Sequence, residues 1–282
     1  MSDAAPDARL LARVDVAPGL AFFRLGLSTP LEPREPGGPR FVPGQYITVG
    51  AIAPDESLVR RPLTLTDASA DGLEVELLLN RVEGPATAHP LSHLLFTLAP
   101  GAPLFARPVA TGRFTLPDTV GAWAGRVLLV ASETGLAPFL AMARYAPQAD
   151  LQRLTLLHAV DDAAHLAARA ELEALGLDYR PWLLPEAGPL DGVAEALAPT
   201  LAAPLSPEHT QVLACGLGAH LEAVTRALFP RGYVPAHRRL RKALGIPLEA
   251  PAALHLEQYD AARLFAHGLA IGPDGRVDSG GA

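Results

Sequence analysis

The chain has 282 residues, enough for two domains of ordinary size. Hydrophobic residues make up 49% of it, so real cores can form, yet no stretch approaches the ~20 apolar residues of a membrane helix. A formal net charge of -7 excludes a general attraction to nucleic acid, and a single cysteine, Cys215, excludes an intrachain disulfide.

The opening residues, Met1 to Asp7, are acidic and lack the basic-then-apolar pattern of a secretion signal, so a reducing cytoplasm is the expected location. From about residue 9 to 118 the sequence reads as short β-prone runs. These are Leu10 to Val16, Ala21 to Leu27, Arg40 to Val49, Pro62 to Thr66, Leu73 to Leu79 and Arg113 to Leu116. Turn signals such as Pro36-Gly37-Gly38-Pro39, Pro43-Gly44 and Pro100-Gly101 punctuate them. Short strands at regular spacing predict an antiparallel barrel or sandwich. A helix is expected over Leu91 to Leu98, directly after Pro90.

Near Val120-Gly121 the rhythm changes to strand–helix–strand. Expected strands at Arg126 to Ser132, Leu154 to Val160, Tyr179 to Leu184 and Thr210 to Cys215 alternate with helices. The helices fall at Leu136 to Arg144, Ala163 to Leu175, Gly192 to Leu197 and Ala219 to Phe229. This alternation predicts a parallel, doubly wound α/β sheet. The expected domains are therefore a β domain over residues 1–120 and an α/β domain over 121–282.

Five short stretches carry chemistry-bearing residues. In Ser132-Glu133-Thr134-Gly135-Leu136-Ala137-Pro138 a strand ends and a helix opens, and helix N-termini suit a dinucleotide pyrophosphate. Arg61-Pro62-Leu63-Thr64 offers a guanidinium for bidentate phosphate binding and a hydroxyl further along the strand. Ser92 sits at a helix start, Cys215-Gly216 at a strand end, and Glu257-Gln258-Tyr259 near the C-terminus. Taken singly, each reads as an ordinary turn, cap, core or surface residue.

Taken in order, with Pro43-Gly44-Gln45-Tyr46 and Gly112-Arg113-Phe114 between them, they resemble the ferredoxin–NADP reductase family from Leu10 to Asp260. The resemblance implies an FAD-binding barrel followed by an NAD(P)-binding α/β domain. It implies hydride transfer between NADPH and flavin, and single-electron exchange with ferredoxin or flavodoxin; the alternatives are an NADH-dependent reductase of free flavin, quinone or ferric chelates, and a flavoprotein that has lost nucleotide catalysis. Arg61 and Pro62 would lie at the FAD pyrophosphate, Leu63 against the ring, and Thr64 beside flavin N5. Leu91 and Ser92 would meet FAD phosphate oxygens. Thr134, Gly135, Pro138 and Gly216 would line the nicotinamide nucleotide's path. Cys215 and Glu257 would flank the nicotinamide, and Tyr259 would stack on the flavin.

Several positions depart from the family pattern. Leu63 replaces a flavin-stacking tyrosine, Glu133 a glycine, and Leu217-Gly218 follows Cys215-Gly216. Where basic residues usually hold the NADP 2′-phosphate, the chain has Asp161-Asp162 and Glu186, with Arg180 and Arg226 as possible compensating cations. Use of NADPH with weak discrimination against NADH, under about tenfold, is the expectation. Arg231, His237, Arg238, Arg239, Arg241 and Lys242 form a basic cluster. It reads equally as a solvated helix face or as a docking patch for an acidic carrier. A flavin-covering helix is expected over Asp260 to Ala270, then a frayed tail.

Overall fold

A computed structural model describes residues 5–81, 90–260, 264–265, 269–271 and 277–279. The chain divides into two compact units. One comprises Met1–Asp118 with Leu140–Tyr145, the other Thr119–Phe139 with Ala146–Ala282.

The first unit contains β1 (Ala8–Ala17), β2 (Leu20–Leu27), β3 (Tyr46–Ile52), β4 (Leu58–Ala68), β5 (Glu74–Asn80), α1 (Pro90–Thr97), β6 (Pro103–Thr111) and α2 (Leu116–Thr119). The six strands close into an antiparallel barrel in the order β1-β2-β5-β4-β3-β6, with Ala8 opposite Leu104 at the closure. Alternate residues point inward: Phe23 and Leu25, Ile47 and Val49, and Val75 and Leu77 are all core. Closure leaves no unpaired edge.

Two expected barrel strands are corrected. The third begins at Tyr46 rather than Arg40, because Gly44 turns the chain with φ 102. A Cβ on Gly44 would lie 2.0 Å from the Phe114 carbonyl oxygen. The last strand is Pro103–Thr111, not Arg113 to Leu116. Prolines disguise it in the sequence, but Pro103 opens the strand and Pro108 lies where the β3–β6 register shifts, the places a sheet admits proline. Residues 113–116 instead lead into α2, whose Asp118 N–H is capped by the Thr115 hydroxyl at 3.1 Å.

The second unit runs β7 (Arg126–Ser132), α3 (Ala137–Tyr145, its second half in the first unit), α4 (Gln148–Leu151), β8 (Leu154–Val160), α5 (Arg169–Ala174) and β9 (Asp178–Leu183). There follow α6 (Leu184–Ala187), α7 (Val193–Leu197), β10 (Thr210–Gly216), α8 (Gly218–Leu228), α9 (Arg238–Ala243) and β11 (Leu254–Gln258). Five parallel strands are ordered β11-β10-β7-β8-β9. Every residue of β8 is buried, as in a strand covered on both faces. Strand order reverses between β7 and β10, and ligands of such sheets bind beyond the carboxyl ends at that point.

The helix expected over Ala163 to Leu175 is broken. A 3-10 turn at Ala163–His165 is separated from α5 by Ala168 in a left-handed conformation, φ 57. Of the helix expected over Asp260 to Ala270, residues 264–265 form a turn and β12 (Leu269–Ile271) is a strand; 261–263 and 266–268 lie outside the described residues. Strand β12 pairs with β13 (Val277–Ser279) inside the tail expected to fray, since the ladder satisfies backbone groups of both segments. Among the described residues no helix is long and apolar enough to cross a membrane.

Candidate functional site

On the barrel unit, β4 carries adjacent exposed arginines, Arg60 and Arg61. The Arg61 guanidinium donates to the Arg60 carbonyl at 2.9 Å, which engages only one of its five N–H donors. Gly50 opposes Arg60 across the β3–β4 ladder, and a Cβ there would meet the Arg60 stem at 2.9 Å. Arg107 of β6 is also exposed, so guanidinium groups from two strands are available to a polyanion. Pro62 is exposed, Leu63 packs partly against the barrel core, and Thr64 is buried opposite Tyr46. Leu91 is core, so only its backbone is available to a ligand. The Ser92 hydroxyl donates to the Asn80 carbonyl at 2.7 Å, which commits its single proton.

In the α/β unit the turns after β7 and β10 meet. A Cβ on Gly135 would fall 2.1 Å from the Cys215 carbonyl oxygen, and one on Gly216 would fall 2.0 Å from the Ser132 hydroxyl. Gly216 also has φ 142, so glycine is required twice over. The Ser132 hydroxyl accepts the Leu217 N–H at 3.1 Å, fastening the two turns together. Thr134 is half-buried in the 3-10 turn Glu133–Leu136, and Pro138 is buried at the second position of α3.

The β10–β11 register sets Cys215 beside Glu257, and the Tyr259 N–H donates to the Gly216 carbonyl at 2.9 Å. Two segments distant in sequence, one carrying Cys215 and the other Glu257 and Tyr259, therefore converge at the ligand end of the sheet. Burial pushes the Cys215 thiol well up, and neighbouring Glu257 pushes it further, so it is a neutral thiol rather than a thiolate. Burial also pushes the Glu257 carboxyl up to about 7. Tyr259 is 38% exposed.

A neighbouring chain of groups was not foreseen. Fully buried His158 meets the Tyr179 hydroxyl at 2.9 Å through Nδ1 and the Glu133 carbonyl at 3.1 Å through Nε2. Burial pushes its imidazole down to about 4, so it is neutral. Glu133 stood out where a glycine is usual, but its partners come from β8, β9 and the loop after β8. No local pattern links those segments.

The basic cluster is corrected. Arg241 is only 4% exposed, and its guanidinium donates to the carbonyls of Pro235, Pro247, Leu248 and Ala250. It braces the loop before β11 and is lost to any docking patch. Arg238, Arg239 and Lys242 are exposed, while Arg231 pairs with Glu195 at 3.4 Å. The cations suggested for a 2′-phosphate are also engaged. Arg180 pairs with Asp178 at 2.8 Å, and Arg226 with Asp191 at 3.3 Å and Glu222 at 3.6 Å.

No family model and no curated protein matches the sequence. Solved structures match over almost all of it. The Amycolatopsis cytochrome P450 reductase GcoB is 24% identical, with a TM-score of 0.63 over 92% of this chain and 71% of that one. A ferredoxin NADP+ reductase from Neisseria gonorrhoeae, determined with bound FAD and NADP, is 18% identical, with a TM-score of 0.63 over 91% and 99%. The flavohem-like FAD/NAD-binding domain of nitric oxide dioxygenase from Vibrio cholerae is 18% identical, with a TM-score of 0.61 over 91% and 100%. The chain has the fold of ferredoxin–NADP reductase-like proteins: a closed antiparallel barrel followed by a parallel α/β sheet.

Proposed function

We propose that this chain is a flavin-dependent oxidoreductase that takes hydride from a reduced nicotinamide nucleotide and delivers electrons singly to a protein or haem acceptor. The observation that carries the reading is the convergence of Cys215, Glu257 and Tyr259 beside the switch point between β7 and β10, in this fold. FAD, when bound, accepts a hydride and releases single electrons.

The barrel's donor set suits the two phosphates of FAD. Arg61, with Pro62 beside it, supplies the charge-assisted clamp, and the backbone N–H groups at the start of α1 supply further donors. Because the Ser92 proton is committed to Asn80, its hydroxyl reaches a phosphate only as a helix-start neighbour. Thr64 is the hydroxyl assigned to the reacting edge of the flavin, and Leu63 packs there without a phenol hydrogen bond.

In the α/β unit Thr134, Gly135, Pro138 and Gly216 give a nucleotide close backbone approach. Cys215 presents a small neutral thiol to the nicotinamide, so it packs without attacking. Glu257 changes protonation near neutral pH and can hold a proton at its carboxyl oxygen. Tyr259 supplies an aromatic cover.

Ferredoxin or flavodoxin as acceptor rests on Arg238, Arg239 and Lys242, since such carriers are acidic. One observation favours a second reading, a reductase of free flavins, quinones or ferric chelates. Arg241 is buried and Arg231 is paired with Glu195, which reduces the patch available to an acidic carrier. Anaerobic stopped-flow of the yellow protein with NADPH and NADH tests the reading. Rapid bleaching by either coenzyme supports it, and no bleaching by both defeats it. Faster reoxidation by an acidic carrier than by free flavin then selects the first acceptor class.

A further inference from the structure

Glu133 has φ 51, a left-handed conformation that costs any residue but glycine free energy. Its environment enforces that conformation. The Glu133 carbonyl can only accept, so His158 carries its proton on Nε2, and Nδ1 accepts from the Tyr179 hydroxyl. This chain runs from β9 through β8 to the end of β7 and fixes the Glu133 backbone.

The Glu133 carboxylate then grips the loop after β8. One oxygen accepts the Asp161 N–H at 3.0 Å, and the other meets His165 Nδ1 at 2.8 Å. Asp162 caps the same loop by accepting the Ala164 N–H at 2.9 Å. Asp161 is thereby held immediately beyond the second strand of the sheet, with its side chain exposed. An acid there accepts a hydrogen bond from an adenosine ribose hydroxyl. The surrounding titratable groups are Glu133, Asp162, Asp260, His165 and half-buried His220, whose imidazole feels Asp161, Glu133 and Asp260. Arg180 and Arg226 are already paired elsewhere. A 2′-phosphate would bring about two negative charges to an edge that already carries Asp161, Asp162 and the Glu133 carboxylate.

We propose that Glu133, fixed by Tyr179 and His158, is a positioning residue that sets Asp161 against the adenosine ribose, so that the chain prefers NADH and accepts NADPH poorly. The inference rests on the reading that the α/β unit binds a nicotinamide nucleotide.

The test compares wild type, Asp161→Asn and Glu133→Gly as FAD-loaded proteins. Two measurements are made: kcat/KM for NADH over NADPH, and calorimetric affinity for NAD+ over NADP+. Wild type should favour the unphosphorylated coenzyme by about tenfold or more, and each variant should bring the ratio within about threefold of unity. Glycine adopts the Glu133 conformation without strain, so Glu133→Gly should stay folded and hold FAD as wild type does while losing selectivity. A purely structural Glu133 would instead weaken both coenzymes equally. That result overturns the proposal, as does a wild-type preference for NADPH or an absence of nucleotide binding. If the flavin is not reduced by either coenzyme, the functional reading fails while the calorimetric ratio still decides this one.

Discussion

The two units prepare their chemistry in opposite ways. The barrel offers exposed guanidinium groups, Arg60, Arg61 and Arg107, on strands whose inward residues are mostly apolar. The α/β unit offers titratable groups that are buried, Cys215 and His158, or half-buried, Glu257, each displaced from its ordinary ionisation by burial. An exposed cation keeps its donors in water until a phosphate displaces that water. Burial holds a carboxyl or an imidazole uncharged over a wider pH range, and for Glu257 it brings the titration close to neutral pH. One unit is built to grip charge and the other to control it.

The largest expected effect tests the barrel half of that contrast. Arg61→Ala should weaken FAD binding by roughly a hundredfold, ~2–3 kcal/mol, because it removes a charge-assisted clamp. Fluorescence titration of the apoprotein measures it, and unchanged affinity would remove Arg61 from the cofactor site.

Glu257 tests the other half. Its folded value of about 7 lies above the ordinary carboxyl value of 4.5, so ionisation opposes folding. That cost is absent at pH 4, grows as pH rises from 4.5 through about 7, and is complete above it. Glu257→Gln should therefore be more stable than wild type by ~2 kcal/mol at pH 8 and equal to it at pH 4. Urea unfolding at both values checks the sign. Flavin reduction should also slow in Glu257→Gln and in Cys215→Ala, with the flavin spectrum nearly intact; unchanged kinetics in both would place neither residue in the active site.

His158 and His255 carry the contrast into acid. Both are pushed down to about 4 by burial, so their contribution to stability is complete above 6.5 and is lost as pH falls toward 4. Protection of β8 amides from hydrogen exchange should drop between pH 6.5 and 4 by on the order of 2 kcal/mol. Equal loss in β2 of the barrel would show that the two units do not differ in this respect. The smallest effect is expected at Ser92→Ala, which loses its bond to Asn80 and ~1 kcal/mol of stability with little change in FAD affinity. A tenfold drop in affinity would show that the hydroxyl binds phosphate after all.

Legibility in the sequence followed how far apart the determining contacts lie. Strands Arg126–Ser132 and Leu154–Val160 were readable to the residue, because continuous apolar runs between turns leave a fully buried parallel strand no other local solution. The α1 helix and most barrel strands were readable from period and punctuation, whereas prolines concealed Pro103–Thr111 until its pairing partners were known. Cys215, Glu257 and Tyr259 could be picked out as residue types, but their meeting depends on the register of β11 against β10. The basic run near residue 240 looked uniformly solvated, yet four carbonyls from the flanking segments bury Arg241. The Tyr179–His158–Glu133 chain joins three strands and has no local signature. Composition and periodicity by themselves determined an antiparallel β domain, barrel or sandwich, followed by a parallel α/β domain, because burial acts residue by residue on a fixed backbone period. Which charges stay free, which acids stay protonated and which turns touch was decided only by tertiary structure, because each depends on desolvation and partners supplied by strands remote in sequence.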